Sequence, residues 1–227
     1  MHCAFDAYGT LFDVAAAARQ AAAEPGNERL SESWRTVAAN WRIKQLSYTW
    51  LRAVTGAHAD FWQVTCDSLD WAMDAAGLAG DDVLRERLLD LYWQLSAFPE
   101  VHGMLSELKR AGHAVAILSN GTPEMLRAAV DAADLTELVG ALLSVEEVGV
   151  FKPNHSVYKL ATAHFRCTPA EILFVSSNGW DAAAAAGFGF RSIWVNRNDE
   201  PIERLPWKPH AVVCDLTGIP QFAGSQK

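Results

Sequence analysis

Apolar residues fall at helical spacing through the first half of the chain and in short unbroken runs through the second. A brief buried strand is expected at about His2 to Phe5. It leads into AFDAYGTLFD (residues 4–13), where the apolar run ends on Asp6. Trp34, Val37, Ala38 and Trp41 then recur at i, i+3, i+4 and i+7, which predicts a helix capped by Ser31 or Ser33 and ended by Gly56. Asp60 is placed to cap a second helix with the stripe Trp62, Cys66, Leu69, Met73 and Ala76, stopped by Gly77. Asp81 starts a third, with Leu84, Leu88, Leu91 and Leu95 inward. Roughly 80 residues pass in this block without a strand signal.

After Pro99 the rhythm changes. A helix at about Val101–Lys109 ends at Gly112, and Ala114–Leu118 reads as a buried strand. Thr122-Pro123 is an N-cap and N1 pair for a helix running to about Ala133. Strands follow at about Ala141–Val145, Ile172–Ser176 and Ser192–Val195, separated by helices at Ser156–His164 and Ala182–Ala186, and Ala211–Cys214 supplies a sixth. Strands alternating with helices predict an α/β class protein, its parallel sheet covered on both faces. The helical block becomes an insertion between the first and second strands.

Composition narrows the function. Of the 227 residues half are hydrophobic and a fifth charged, which describes a globular chain and not a disordered one. The net charge of −8, with no basic stripe, argues against nucleic acid as partner. No apolar run approaches the roughly 18 residues that span a bilayer, so no membrane is expected either. Met1-His2-Cys3-Ala4 offers no signal-like segment, and a cytoplasmic location is expected. Cys3, Cys66, Cys167 and Cys214 are scattered without C-x-x-C pairing and read as buried free thiols. Trp34, Trp41, Trp50, Trp62 and Trp71, five of nine tryptophans, are expected to pack the helical block or an interface.

In open parallel sheets ligands sit beyond the carboxyl ends of the strands. The residues just after each strand are therefore informative. The first strand delivers Asp6, Tyr8 and Thr10, and the second Ser119 and Asn120. The third is followed by Phe151-Lys152-Pro153, and the fourth by Ser176-Ser177-Asn178-Gly179-Trp180-Asp181. One sheet edge would gather two carboxylates, a lysine, several hydroxyls and two carboxamides. Asp13 reads as a turn residue leading into the insertion.

The segments FDAYGTLFD, LSNG, FKPNHSVY and VSSNGWD, in that order, resemble the four motifs of the haloacid dehalogenase superfamily, and specifically of its (S)-2-haloacid dehalogenase branch. WRIKQLSYTWLR in the helical block is similar to the cap of that branch. The resemblance implies a Rossmann-like parallel sheet core with an inserted helical cap domain, the core over 1–13 and 98–227 and the cap over 14–97. It implies hydrolysis of a small anionic 2-haloacid without metal or organic cofactor, by a homodimer. Asp6 would attack the halogen-bearing carbon, and water would then hydrolyse the aspartyl ester.

By the same resemblance Lys152 keeps Asp6 ionised, while Thr10, Ser176 and Asn178 hold its oxygens. Asp181 is the base for the water, or the partner that orients Lys152. Ser119 and Asn120 take the substrate carboxylate. Arg42 and Asn120, with the rings of Tyr8, Phe61 and Trp180, receive the halide, and Leu46 and Tyr158 complete the substrate-binding set.

Two other readings stand beside this one. A phosphatase of the same superfamily needs an acid where Tyr8 stands and more acids than Ser176-Ser177-Asn178 provide for magnesium. A silent binding module would keep the fold without needing a nucleophile beside a water-activating partner.

Overall fold

The computed structural model describes residues 1–224. The strands His2–Phe5 (β1), Ala114–Ser119 (β2), Ala141–Ser144 (β3), Ile172–Ser176 (β4), Arg191–Val195 (β5) and Ala211–Val213 (β6) form one sheet in the order β3-β2-β1-β4-β5-β6. Every pairing is parallel. Phe5 lies opposite Ile117 on one side and Val175 on the other, so the ends of β1, β2 and β4 come together where the strand order reverses. Asp6 extends the ladder by one residue, its N–H donating to the Val175 carbonyl at 2.9 Å.

Between β1 and β2 the chain forms Ala16–Ala22 (α1), Glu28–Thr55 (α2), Phe61–Ala75 (α3) and Asp82–Trp93 (α4), a helical cap. The remaining helices, Val101–Arg110 (α5), Pro123–Ala132 (α6), His155–Phe165 (α7), Gly179–Phe188 (α8) and Ile219–Gly224 (α9), belong to the sheet domain. The outgoing and returning crossings pair as a short antiparallel ribbon: Phe12 bridges Ala97, Asp13 N–H donates to Ser96 O at 2.9 Å, and Phe98 N–H to Leu11 O at 3.0 Å. Asp13 turns the chain into the cap, its carboxylate accepting from Ala15 N–H at 3.0 Å.

Several expectations are corrected. The helix α1 carries no signal beyond alanine, which buries without showing a large-residue stripe. The helix α2 starts at Glu28, ahead of Ser31 and Ser33, and the Ser33 hydroxyl instead donates back to the Arg29 carbonyl within it. Asp60 and Asp81 do cap α3 and α4, accepting from Gln63 and Leu84 N–H. The buried face of α3 is Phe61, Val64, Thr65, Ser68, Leu69, Ala72 and Met73, which leaves Trp62, Cys66 and Ala76 at its edge. Thr65 and Ser68 can sit inside because their hydroxyls donate to the carbonyls of Phe61 and Val64.

The helix α8 is longer than the alanine run alone predicts, starting at Gly179. Of the five tryptophans expected to pack the cap, Trp41 alone is deeply buried, while Trp50 and Trp71 are exposed. All four cysteines are free, but only Cys3 is buried; Cys66 and Cys167 are half-buried and Cys214 is exposed. Among the described residues no helix is long and apolar enough to cross a membrane.

The cap is tied by a buried polar network. Gln45, 1% exposed, donates to Thr65 Oγ1 at 2.9 Å and to Tyr92 Oη at 3.1 Å, and Trp41 donates to Thr65 O at 2.9 Å. Gln45→Ala strands a buried hydroxyl at a cost of about 2 kcal/mol. Its Tm should fall by roughly 4–8 °C. An unchanged Tm by calorimetry would show that the network does not hold the cap.

Candidate active site

At the end of β1 Asp6 is only 6% exposed, and its two carboxylate oxygens are bonded unequally. Its Oδ2 accepts from Thr10 Oγ1 and Asn178 Nδ2, both at 2.9 Å, and from Ser176 Oγ at 3.4 Å. Its Oδ1 has one donor, Lys152 Nζ at 3.1 Å. The same ammonium reaches Asp181 Oδ2 at 2.9 Å, and Tyr158 Oη donates to Asp181 Oδ1 at 2.7 Å. Five separate elements therefore converge: the β1 loop, the segment after β3, α7, the end of β4 and the start of α8.

Local sequence explains each placement. Gly9 has φ +88°, a left-handed conformation that lets the chain double back so that Thr10 faces Asp6. A β-carbon there would lie 3.1 Å from Ser177 Oγ. Ser177 N–H donates to Thr10 Oγ1 at 2.8 Å, which leaves the threonine proton for Asp6. Asn178 precedes the first turn of α8, and its backbone N–H bonds Ser176 Oγ at 3.1 Å. Asn120 Oδ1 accepts from the backbone N–H of Lys152 at 3.0 Å, which holds the lysine segment against β2.

Burial sets the electrostatics. It pulls the Lys152 ammonium down, but Asp181 and then Asp6 outweigh it and carry the group above the ordinary lysine value. Burial pushes Asp181 above the usual carboxylate range; Lys152 opposes this and Asp6 adds to it. Tyr8 and Tyr158 are both driven far above the ordinary phenol value, chiefly by burial, so both stay neutral. Two carboxylates and one ammonium make the cluster net negative. The cap contributes the nearby positive charge: Arg42 Nη2 donates to Tyr8 O at 3.0 Å and to Asn178 Oδ1 at 3.1 Å.

Aromatic rings enclose the cluster on the cap side. Tyr8 lies 5.5 Å from Phe61 and 5.6 Å from Tyr92, centroid to centroid, and Phe61 lies 6.4 Å from Phe151. Gly121 makes room for this arrangement, since a β-carbon there would stand 2.8 Å from Tyr8 Cε2. Beside the cluster opens a cavity of about 480 Å³ whose wall includes Arg42, Leu46, Asn178 and Trp180. The indole Nε1 of Trp180 is buried without a hydrogen-bond partner among the described residues.

Asp6, Thr10, Lys152, Ser176, Asn178 and Asp181 are thus brought into one hydrogen-bonded set, with Arg42 one contact away. Ser119 ends β2 and Asn120 follows it; the Ser119 hydroxyl closes a turn with Gly121 N–H at 3.1 Å. Tyr158, expected to meet substrate, stands instead behind Asp181 and is fully buried. Leu46 lies on the cavity wall and not at the carboxylate.

Two contributors went unread. Ser177 had a signal, its place between two chosen residues. Tyr92 had none, because an inward aromatic on an amphipathic helix looks like any core residue.

A buried carboxylate with one lightly bonded oxygen, an adjacent ammonium and a second, basic carboxylate can form and then hydrolyse an ester. Among the described residues no group of three or more His, Cys, Asp or Glu side chains is arranged to hold a metal ion.

Comparison with known proteins agrees with this chemistry. The haloacid dehalogenase-like hydrolase family model matches residues 1–189. The chain is 45% identical over 222 residues to (S)-2-haloacid dehalogenase 1 of Pseudomonas sp. strain CBS-3, covering 97% of this chain and 95% of the relative. It is 40% identical over 201 residues to (S)-2-haloacid dehalogenase 4A of Burkholderia cepacia, covering 88% and 85%. The solved L-2-haloacid dehalogenase of Xanthobacter autotrophicus with chloropropionic acid covalently bound superposes with a TM-score of 0.87 at 36% identity, covering 100% of this chain and 99% of that one.

Lys152→Met removes the only cation between two buried carboxylates and should lower stability by about 3–5 kcal/mol. Adding Asp181→Asn to that variant should restore part of the loss, because one unpaired buried charge goes with it. Denaturant unfolding of the three variants checks this. A double variant no more stable than Lys152→Met would mean that Lys152 does not neutralise Asp181.

Proposed function

The chain belongs to the haloacid dehalogenase-like hydrolases, and on that footing we propose that it hydrolyses short (S)-2-haloalkanoic acids to (R)-2-hydroxyalkanoic acids and halide. The observation that carries the reading is the uneven bonding of Asp6. Oδ2 is held by three donors, while among the described residues Lys152 is the one donor to Oδ1, which leaves a lone pair there for attack. In the first step Asp6 Oδ1 forms a bond to the α-carbon as the carbon–halogen bond breaks. The pair of electrons leaves with the halide, and inversion accompanies the displacement.

Arg42 and the apolar rings of Tyr8, Phe61 and Trp180 receive the halide, since a desolvated anion needs a donor and a dry wall. Ser119 and Asn120, at the end of β2 and the approach to α6, take the substrate carboxylate. In the second step Asp181 accepts a proton from water, whose oxygen adds to Cγ of the Asp6 ester. Collapse of that intermediate breaks the ester C–O bond, the departing alkoxide takes the proton from Asp181, and the Asp6 carboxyl loses its own proton to solvent, which returns both carboxylates. Lys152 and the hydrogen-bond donors around Asp6 offset the oxyanion charge. Burial, which raises Asp181, makes it a better base than an exposed carboxylate.

The division of the chain into a core of 1–13 and 98–227 and a cap of 14–97 is supported by the ribbon pairing Phe12 with Ala97. A homodimer accords with the apolar side chains that α2 leaves exposed, Trp50, Leu51 and Val54. Four free cysteines accord with a cytoplasmic setting.

Halide release from the two enantiomers of 2-chloropropionate, with EDTA present, tests the reading. The wild type should act on the (S)-enantiomer alone at a rate EDTA does not change, and Asp6→Asn should abolish release. Release dependent on magnesium, or an active Asp6→Asn, would overturn it.

The pH profile of kcat/KM has a worked sign. Asp181 must be ionised, so activity falls with acid at a pH above the ordinary aspartate value of about 3.9. Lys152 must stay charged, so activity persists past the ordinary lysine value of about 10.4 before it falls. An acid limb at or below the ordinary aspartate value would remove Asp181 as the base.

A further inference from the structure

Two crossings join the sheet to the cap, and one side chain from outside both of them contacts each. Arg197 follows β5. Its Nη2 donates to the carbonyl of Thr10 on the outgoing crossing at 3.0 Å. On the returning crossing its Nη1 pairs with Glu100 Oε1 at 2.7 Å, and its guanidinium carbon lies 3.7 Å from the Phe98 ring centroid. The pair is poorly accessible, with 17% of the Arg197 side chain and 15% of that of Glu100 exposed.

The arginine also stands on a fixed base. Asn196 N–H donates to Val213 O at 2.7 Å, and the Asn196 side chain exchanges two 2.9 Å bonds with the backbone of Glu200.

Thr10 connects this clamp to the chemistry. Its carbonyl faces Arg197 while its hydroxyl faces Asp6 Oδ2 at 2.9 Å and accepts from Ser177 N–H at 2.8 Å. A β-branched side chain has little χ1 freedom, so the direction of that hydroxyl follows the backbone that Arg197 holds. The same clamp spans both crossings by which the cap leaves the sheet, and the cap carries the Arg42 that reaches Tyr8 O and Asn178.

We propose that Arg197 is a positioning residue for the dehalogenation: through the Thr10 carbonyl and the paired crossings it sets the alignment of the Asp6 carboxylate and the seating of the cap. It touches neither substrate nor reacting atoms, and its role rests on Asp6 being the nucleophile. Lysine substitutes only in part, because an ammonium lacks the planar fork that bonds two acceptors while stacking on a ring.

The test compares wild type, Arg197→Ala, Arg197→Lys and Glu100→Gln on (S)-2-chloropropionate. Displacing the nucleophile should lower kcat in Arg197→Ala by about 10- to 100-fold while KM moves far less. Arg197→Lys should fall between it and wild type. Glu100→Gln, which leaves the bond to Thr10, should stay within about threefold of wild type, and added guanidinium ion should restore part of the kcat of Arg197→Ala.

Amide hydrogen exchange at Ser177, read without substrate, should quicken in Arg197→Ala and slow again with guanidinium. A folded Arg197→Ala or Arg197→Lys with wild-type kcat and wild-type exchange at Ser177 would overturn the proposal, as would a lowered Tm with kcat unchanged. Should Arg197→Ala not fold, Arg197→Lys decides alone by the same two readouts. A wild type that releases no halide would sink the dehalogenase reading instead, and the Ser177 exchange would still decide whether Arg197 governs Thr10.

Discussion

The Lys152 ammonium, 1% exposed and lying between the carboxylates of Asp6 and Asp181, is the contact on which the rest of the site depends. Two carboxylates cannot both be ionised in a buried space without a cation between them, and a lone ammonium there would itself shed its proton. Each group is tolerable only in the presence of the other two. The sheet meets this condition by reversing its strand order at β1, which brings the ends of β1, β2 and β4 side by side. The lysine arrives on the segment after β3, fixed by Asn120, and Asp181 on the first turn of α8, where helix N–H groups favour negative charge.

The cap acts on that cluster by excluding water. Tyr8 stacks on Tyr92 and lies tilted against Phe61 on the cap side of the cluster, and a low local dielectric strengthens the bonds they enclose. The cost is that each enclosed polar atom must find a partner. Gln45 answers Tyr92 and Thr65, Tyr158 answers Asp181, and Arg42 answers the carbonyl of Tyr8. Catalytic alignment and cap packing are therefore one problem here, solved largely by the same hydrogen bonds. Arg197 extends it to the crossings, where cap angle and Thr10 orientation share an anchor.

How much could be read from the chain depended on how local each signal is. Asp6 sits just after β1, Lys152 on the segment after β3 and Asp181 in the first turn of the helix that follows β4, and alternating strands and helices force those positions onto one edge of the sheet. Ser119 and Asn120 follow from the same strand-end rule and Tyr158 from the resemblance, but their contacts depend on register and rotamer, which periodicity does not encode. In α3 the polar residues Thr65 and Ser68 sit inside by bonding the preceding turn, so a stripe drawn through the large apolar residues was rotated off the buried face. Arg197 was invisible for the opposite reason. Its partners Thr10, Phe98 and Glu100 lie about a hundred residues away or more, and nothing near it in sequence distinguishes it from a solvated loop arginine.

Tyr8 shows how one position selects among reactions on a shared scaffold. Two residues beyond the nucleophile, a carboxylic acid could protonate an oxygen leaving group or help bind a metal. A halide needs no proton to depart, since it is a stable anion once a donor and a dry surface receive it. A neutral ring in that place loses nothing the displacement requires and adds apolar wall. Burial holds the Tyr8 phenol far above its ordinary range, so it brings no charge to compete with Asp6 for Lys152. Replacing an acid by a tyrosine there withdraws the proton donor that phosphoryl transfer needs. It also keeps the number of carboxylates around Lys152 at two.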